Sequence, residues 1–232
     1  MKRRWLRPTL TIAAVFAALF LALQCYFAIK LWWWVDHAPV STAFMDARLH
    51  AMRETKPDAT LKHHWVPYLS VSANLKRAII AAEDAKFVDH EGFDWDGIRE
   101  AYEKNQARGK IVAGGSTISQ QLAKNLFLSG ERSAIRKGEE MIITFMMEHI
   151  MEKERIFEIY LNVVEWGDGV FGAEAAAKHY YGISAAQLST SQAAKLAAML
   201  PRPRYYDKNR NTPWLQKKTQ IILSRMPQAE LP

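Results

Sequence analysis

Hydrophobic and polar positions divide the chain into one long apolar stretch near the N-terminus and a following region of helical periodicity. Residues 10–35 contain a single charge, Lys30, and nothing in residues 12–29 is more polar than Gln24. A helix rises about 1.5 Å per residue, so this stretch can cross the hydrocarbon core of a bilayer. A buried core helix or a cleaved signal peptide is the alternative, but the run exceeds a signal region and no small-x-small cleavage site follows. The pattern predicts a transmembrane helix over residues 10–35.

The polar segment after it, residues 36–72, contains three prolines: Pro39, Pro57 and Pro67. Such a segment predicts an irregular connector with room for one short helix. From Ser72 the apolar residues recur at helical spacing, with Leu75 and Ile79 on one face. This predicts a helix with Glu83 near its end.

Two further helices are predicted around and after a Gly-Gly pair. Gly114 and Gly115 break the chain after a flexible loop over residues 107–113, and Thr117 with Gln120 matches a capping box at a helix start. Residues 133–150 form the next predicted helix, with one apolar side expected to be buried. That side consists of Met141, Ile142, Phe145, Met146 and His149.

The C-terminal half continues the helical pattern. Two helices are predicted over residues 156–163 and 173–181, the second with Gly182 as its cap. A third begins at Ser184 and is stopped by Pro201 and Pro203, and a last one extends from Thr212 to Met226. No alternation of strands and helices and no internal repeat is present. The sequence therefore predicts an all-α domain over residues 73–232.

Charge adds a topology to this picture. The formal net charge is +7, and four cations precede the apolar stretch: Lys2, Arg3, Arg4 and Arg7. Trp32, Trp33 and Trp34 follow it. Positive residues stay in the cytoplasm and indoles favour the membrane interface, so we expect residues 1–9 inside and the domain outside. The rest of the chain is only mildly basic, which argues against a nucleic-acid binder.

An acidic run beside aromatic residues is the first candidate for chemistry. Residues 83–94 read EDAKFVDHEGFD, a setting in which burial and mutual repulsion can raise a carboxyl pKa and produce a usable base. Taken alone, such a run is more often a solvated turn. His90 has no second histidine at zincin spacing and no calcium-loop glycine follows Asp89, so we predict no metal ligands.

A loop and a group of cations form the second candidate. Residues 114–117, Gly-Gly-Ser-Thr before a helix, can act as a hinge or present backbone N–H groups to an anion. Four cations follow within a short span: Lys124, Arg132, Arg136 and Lys137. Singly they fit solvated helix faces. Together they can hold a diphosphate, because arginine offers a bidentate fork and lysine a mobile point charge.

Five segments in this order resemble the peptidoglycan glycosyltransferases of glycosyltransferase family 51. They are EDAKFVDHEGFD at 83–94, GGSTISQQLAKNLFL at 114–128, RKGEE at 136–140, RIFEIYLN at 155–162 and AAKLAAMLPRP at 193–203. The resemblance implies a lysozyme-like helical domain with a small membrane-associated region. It also implies lipid II as substrate, at the outer face of the bacterial cytoplasmic membrane. Larger relatives add a penicillin-binding domain, which is not expected here because residues 1–232 contain no Ser-x-x-Lys motif.

The resemblance assigns roles to residues at matching positions. Glu83 becomes the catalytic base and Glu140 an essential glutamate, while Lys124 and Arg132 become pyrophosphate contacts. The remaining motif residues are expected to bind substrate: Asp84, Phe87, Ser116, Thr117, Gln120, Gln121, Arg136 and Lys137. Glu140 is left with three roles: orienting Arg136, orienting Lys124, or holding an ion.

The reaction implied is transfer of the lipid-linked chain to the 4-hydroxyl of an acceptor sugar with inversion of configuration. A lipid pyrophosphate needs charge neutralisation rather than a general acid. No cofactor is required by the sequence, and a divalent cation such as Mg²⁺ or Mn²⁺ near the pyrophosphate stays open. Expected partners are lipid II, the growing glycan, membrane lipids and other cell-wall synthesis proteins.

Two alternatives remain at this point. A lysozyme-like muramidase would share the helical fold and a catalytic glutamate, but it has no diphosphate to hold. An inactive membrane scaffold in a cell-wall complex would not need Glu83, Glu140, Lys124 and Arg132.

Overall fold

The structure, a computed structural model, describes residues 3–110, 114–128, 130–131 and 133–232. The α-helices are α1 (Arg3–Trp33), α2 (Ala43–Thr55), α3 (Ala73–Glu83), α4 (Trp95–Arg108), α5 (Ile118–Phe127), α6 (Ala134–Ile150), α7 (Lys153–Val163), α8 (Ala173–Tyr181), α9 (Thr190–Met199), α10 (Pro203–Lys208) and α11 (Pro213–Arg225). The structure also contains three short strands: β1 (Lys62–His63), β2 (Glu165–Gly167) and β3 (Val170–Phe171). Its 3₁₀ turns lie at Tyr68–Ser70, Ala185–Gln187 and Met226–Gln228. The predicted helical fold class is confirmed.

The N-terminal helix α1 projects from the domain and contacts it with its last turns. Its segment Thr11–Trp33 is long and apolar enough to cross a membrane, and little of it is buried. Phe27, Leu31 and Trp34 are buried against the domain, with the Phe27 ring 4.8 Å from that of Phe127. The predicted apolar helix over residues 10–35 is thus present, and its C-terminal end is part of the folded domain.

The core lies where α3, α9 and α11 pack together and where α5 packs against α6 and α7. Helix α9 contributes small residues that are fully buried: Ala193, Ala194, Ala197 and Ala198. Small side chains allow helix axes to approach closely, so α3 is held firmly between its neighbours. This packing fixes the C-terminal end of α3, where Glu83 stands.

A small sheet is the feature that the all-α prediction missed. Strand β1 pairs with β3 in parallel, and β2 pairs with β3 in antiparallel orientation. Each strand is only two or three residues long, so no alternation of apolar and polar positions is available to reveal it. The sheet attaches the connector to the domain without altering its helical character.

Helix α2, with 13 residues, is the one helix expected in the connector. Helix boundaries differ from the predictions in two places. Helix α4 was missed, although Asp94 accepts a hydrogen bond from the backbone of Gly97 as its N-cap. It extends to Arg108, so the start of the predicted loop over 107–113 is helical, and residues 111–113 lie outside the described residues. The helix predicted from Ser184 is a 3₁₀ turn, after which Ser189 caps α9.

The predicted buried side of α6 is wrong. Phe145 is 55% exposed, while Met141 and Ile142 are each 38% exposed. The side chains that pack inward are instead Glu140, Ile143, Thr144 and Met147. We call the outward set, Ile135, Met141, Ile142 and Phe145, the α6 apolar face. An apolar stripe shows that a helix side avoids water, but it does not distinguish a protein core from a lipid phase.

Candidate active site

Glu83 is the last residue of α3 and lines a cavity of about 160 Å³. The other walls come from Asp84 and Asp94, from residues 114–117 before α5, and from Arg225 at the end of α11. Gly115 permits close packing of this loop on α4, since a Cβ there would lie 3.0 Å from the Cα of Ile98. The first two sequence motifs therefore meet in one cavity.

The carboxylate of Glu83 is held by a two-step hydrogen-bond chain. The Gln121 Nε2 donates to Glu83 Oε2 over 2.9 Å, and the Tyr160 hydroxyl donates to Gln121 Oε1 over 3.1 Å. Tyr160 is fully buried on α7. Because both ends of the Gln121 amide are used, its orientation is determined, and Glu83 has a defined position. Gln121, predicted to bind substrate, thus contacts the candidate base.

Burial raises the pKa of Glu83 above its ordinary value of 4.5. The hydrogen bond from Gln121 and the nearby cations Lys218 and Lys124 act in the opposite direction, while Asp84 adds to the increase. A carboxylate with a raised pKa accepts a proton more readily. Burial also raises the pKa of Tyr160 well above its ordinary value, so the phenol remains a hydrogen-bond donor.

Asp84 lines the cavity, and its carboxylate oxygens are bound by groups from two other parts of the chain. Its Oδ2 accepts a 2.9 Å hydrogen bond from the backbone N–H of Ile118 at the start of α5. Its Oδ1 lies 3.0 Å from His90 Nε2. The side chain is buried and both oxygens have partners. Asp84 therefore fixes α5 relative to α3, and its contact with substrate stays a prediction.

Three further predicted substrate contacts, Phe87, Thr117 and Gln120, have structural partners within the protein. Phe87 is fully buried, with its ring 5.5 Å from that of Phe157. Thr117 and Gln120 form the capping box of α5, and Thr117 Oγ1 donates to the Gly92 carbonyl over 2.7 Å. Of the three, Thr117 lines the cavity, whereas Phe87 and Gln120 support the elements around it. Motif membership alone did not separate lining residues from supporting ones.

The third motif surrounds a buried carboxylate with two cations. Glu140 is 3% exposed, and its Oε2 accepts a 2.7 Å hydrogen bond from Arg136 Nη1. Its Oε1 contacts Lys137 Nζ, which also lies 3.4 Å from Ser116 Oγ. Of the roles left open for Glu140, this geometry matches the orientation of Arg136, and it adds Lys137.

Lys124 extends this cationic group toward Glu83. Burial lowers its pKa, the carboxylate of Glu140 opposes that effect, and Arg136 and Lys137 reinforce it. Its Nζ lies 5.5 Å from the Phe44 ring and makes no salt bridge to a described residue. The negative charge of Glu83 also raises the pKa of Lys124, so the candidate base and the cations interact electrostatically.

Two further residues enter the site that the sequence motifs did not indicate. Lys218 on α11 lowers the pKa of Glu83, and Arg225 lines the cavity. Both lie on the last helix, outside the five motifs, so only the folded chain brings them to Glu83. Arg132, predicted to contact pyrophosphate, lies outside the described residues. Within the described ranges, no group of three His, Cys, Asp or Glu side chains could hold a metal ion.

One family model and several known proteins match most of this chain. The family described as Transglycosylase matches residues 49–227. A biosynthetic peptidoglycan transglycosylase of Herminiimonas arsenicoxydans is 64% identical over 92% of this chain and 93% of its own. The protein of that name from Methylobacillus flagellatus is 61% identical over 96% of this chain and 96% of its own. The one from Dechloromonas aromatica is 60% identical over 99% of this chain and 98% of its own. The chain therefore belongs to the transglycosylase family, whose lysozyme-like helical fold its own architecture fits.

Proposed function

We propose that this chain is a membrane-anchored peptidoglycan glycosyltransferase that polymerises lipid II into glycan strands. The observation that carries the proposal is the pairing of Glu83, a carboxylate with raised pKa, with the cationic group of Lys124, Arg136 and Lys137. This transfer needs a base that accepts the proton of the acceptor hydroxyl and a cationic group that binds the leaving pyrophosphate. Membership of the transglycosylase family supports the same activity.

Glu83 acts as the general base. The 4-hydroxyl oxygen of the acceptor sugar attacks the anomeric carbon of the lipid-linked donor while its proton passes to the Glu83 carboxylate. The bond from that carbon to the pyrophosphate oxygen breaks, and the configuration inverts. Gln121 holds the carboxylate in place with its 2.9 Å hydrogen bond. The cavity beside Glu83 receives the acceptor.

The cations stabilise the leaving pyrophosphate. Lys124, Arg136 and Lys137 offer N–H donors near charge that develops in the transition state, so no proton donor is needed there. Glu140 keeps Arg136 and Lys137 beside each other despite their mutual repulsion, since it contacts both. Lys124 makes no salt bridge to a described residue, and the diphosphate would supply its counter-charge. Arg132 is the fourth proposed contact.

A divalent cation, Mg²⁺ or Mn²⁺, is a further proposal for the same place. The pyrophosphate oxygens would provide most of its ligands, because Mg²⁺ binds through substrate phosphates and few protein carboxylates. Glu140 is already engaged by two cations, so it is a poor additional ligand. The structure thus favours neutralisation by side chains.

The α6 apolar face supports placing the cationic group at the membrane. Arg136, Lys137 and Glu140 lie on the same helix as the exposed Met141, Ile142 and Phe145. Insertion of that face into the outer leaflet would bring the cations to the level of lipid phosphates. Lys2, Arg3, Arg4 and Arg7 precede the apolar segment Thr11–Trp33, so the domain is then on the outer side of the cytoplasmic membrane.

Gel analysis of products from labelled lipid II tests the proposal. Full-length protein should yield a ladder of glycan strands, and Glu83→Gln should lower the rate by about 10²–10⁴-fold, the usual contribution of a general base. Glu91→Gln, an exposed carboxylate of the same motif, is the control and should retain activity. Strong residual polymerisation by Glu83→Gln would remove Glu83 from this role. Release of soluble fragments from isolated cell wall would indicate a muramidase.

A further inference from the structure

A groove of about 490 Å³ lies where α1 meets the connector, α2 and α5. Its apolar wall includes Tyr26 and Trp33 of α1 and Phe127 of α5. Its polar lining includes Lys30, Ser41 and Asp46. The groove therefore combines aromatic surface with one cation and one carboxylate, at the end of the apolar segment that precedes the folded domain.

Lys30 is a charge without a counter-charge. It lies inside the apolar segment Thr11–Trp33, about one helical turn before Trp33. Its Nζ is 5.3 Å from the Trp34 ring, and its side chain makes no salt bridge or hydrogen bond to the described residues. A charge within an apolar membrane segment is costly unless it reaches the interface or finds a partner. The groove is the space into which such a partner fits.

Asp46 stands on the α2 side of the same groove. It is exposed in the first turn of α2, and its Oδ1 accepts a hydrogen bond from the Ser41 hydroxyl. Lys30 and Asp46 line one groove but form no salt bridge with each other. Two opposite charges that face a common space without pairing match a ligand that carries both charges.

We propose that this groove binds a zwitterionic phospholipid of the outer leaflet with a phosphoethanolamine headgroup. The phosphate pairs with Lys30, and the ammonium pairs with Asp46 and contacts the Trp33 ring. Charge-assisted hydrogen bonds and a cation–π contact are the interactions these groups form. The acyl chains continue along the exposed side of α1 at Tyr26 and Ile29.

The position of the groove favours a membrane lipid over a soluble ligand. The exposed rings of Trp32 and Trp33 mark the interface at which indole rings gather and where lipid headgroups lie. The wall below them is apolar, which suits acyl chains. A bound lipid would fill the space between α1 and the domain, so the anchor and the domain would share one headgroup as a common contact. This inference does not rest on the proposed catalytic activity.

Native mass spectrometry of the full-length protein in detergent tests the site. Dioleoyl phosphatidylethanolamine and dioleoyl phosphatidylglycerol are added separately and as an equimolar mixture. We expect one phosphatidylethanolamine to be retained in preference to phosphatidylglycerol. Lys30→Met should weaken its retention by about tenfold or more, because a hydrogen-bonded charge is lost. Lys30→Arg should restore retention, which shows that the loss is not a folding defect.

The carboxylate has its own test. Asp46→Asn should weaken retention of phosphatidylethanolamine and leave that of phosphatidylglycerol unchanged, since only the ammonium loses its partner. Lys56→Met, an exposed cation outside the groove, is the control and should behave as wild type. Equal retention of both lipids by wild type, or unchanged retention in Lys30→Met, would overturn the proposal. Displacement of the lipid by an equimolar polyprenyl diphosphate would assign the groove to the substrate instead.

Discussion

The side-chain amide of Gln24 donates a 2.7 Å hydrogen bond to the carboxylate of Glu139, joining α1 to α6. Gln24 is the polar interruption in the apolar segment, and Glu139 precedes Glu140 in the third motif. The Arg155 side chain also donates to the carbonyls of Trp34 and His37 at the end of α1. The anchor is thus fastened to the helix that carries the cationic group.

Replacing Gln24 by Leu should loosen this attachment. A hydrogen bond to a charged group contributes about 1.5–3 kcal/mol, and the variant leaves the Glu139 carboxylate without this donor. We expect the free energy of unfolding in detergent to fall by about that amount. Glu139→Gln keeps an acceptor oxygen and should cost less than Glu139→Leu. Leu21→Ala, on the exposed part of α1, is the control. Additive losses in the Gln24→Leu, Glu139→Leu double variant would contradict a direct interaction.

Gln121→Leu tests the support of the candidate base. It removes the hydrogen bonds to Glu83 and from Tyr160 while keeping an apolar side chain of similar size. We expect kcat to fall by about 10–100-fold, as for the loss of about 1.4–2.8 kcal/mol of transition-state positioning. Tyr160→Phe, which removes only the outer hydrogen bond, should have a smaller effect. An unchanged kcat in Gln121→Leu would show that Glu83 needs no such support.

The pH dependence of polymerisation should reveal the raised pKa of Glu83. A general base works only when deprotonated, so the rate falls as the pH decreases through that pKa, which lies above 4.5. Lys218 lowers this pKa, so Lys218→Met should move the acid limb to higher pH. Lys217→Met, an exposed neighbour on α11, is the matched control and should leave the profile in place. A shift to lower pH in Lys218→Met would contradict the assignment.

Glu140→Gln should weaken both the fold and the binding of substrate. The buried carboxylate holds Arg136 and Lys137, and removal of one partner from a buried ion pair costs about 3–5 kcal/mol. We expect a lower melting temperature together with a raised KM for lipid II, since the two cations lose their common partner. Glu103→Gln, at an exposed carboxylate on α4, is a control of equal charge change. A normal KM in folded Glu140→Gln protein would exclude the orienting role.

The α6 apolar face should be in contact with lipid. In a Cys25→Ser background, which removes the single cysteine of the chain, Phe145→Cys provides one labelling position. An environment-sensitive dye there should show blue-shifted emission in vesicles and quenching by a lipid-soluble quencher. Glu103→Cys, exposed on α4, should show neither effect. Equal emission from the two positions would place this face in water.

The linear sequence determined much of the fold and of the chemistry. Helix α5 was predictable because the Thr117–Gln120 capping box is a local contact between residues three apart, and α8 because Gly182 ends it in a left-handed conformation. The apolar segment and the ordered motifs indicated the membrane helix and the reaction class. These features depend on neighbours along the chain or on a pattern of residue types.

Only the tertiary structure decided which motif residues face the site. Phe87 and Glu83 belong to one motif, yet packing buries the first in the core and leaves the second at the cavity. Lys218 on the last α-helix lowers the pKa of Glu83, and Gln24 on the membrane helix donates a hydrogen bond to Glu139. Such pairs are distant in sequence, and helical periodicity specifies a side of a helix without specifying what covers it. That partner is set by long-range packing, which also turned the α6 apolar face outward.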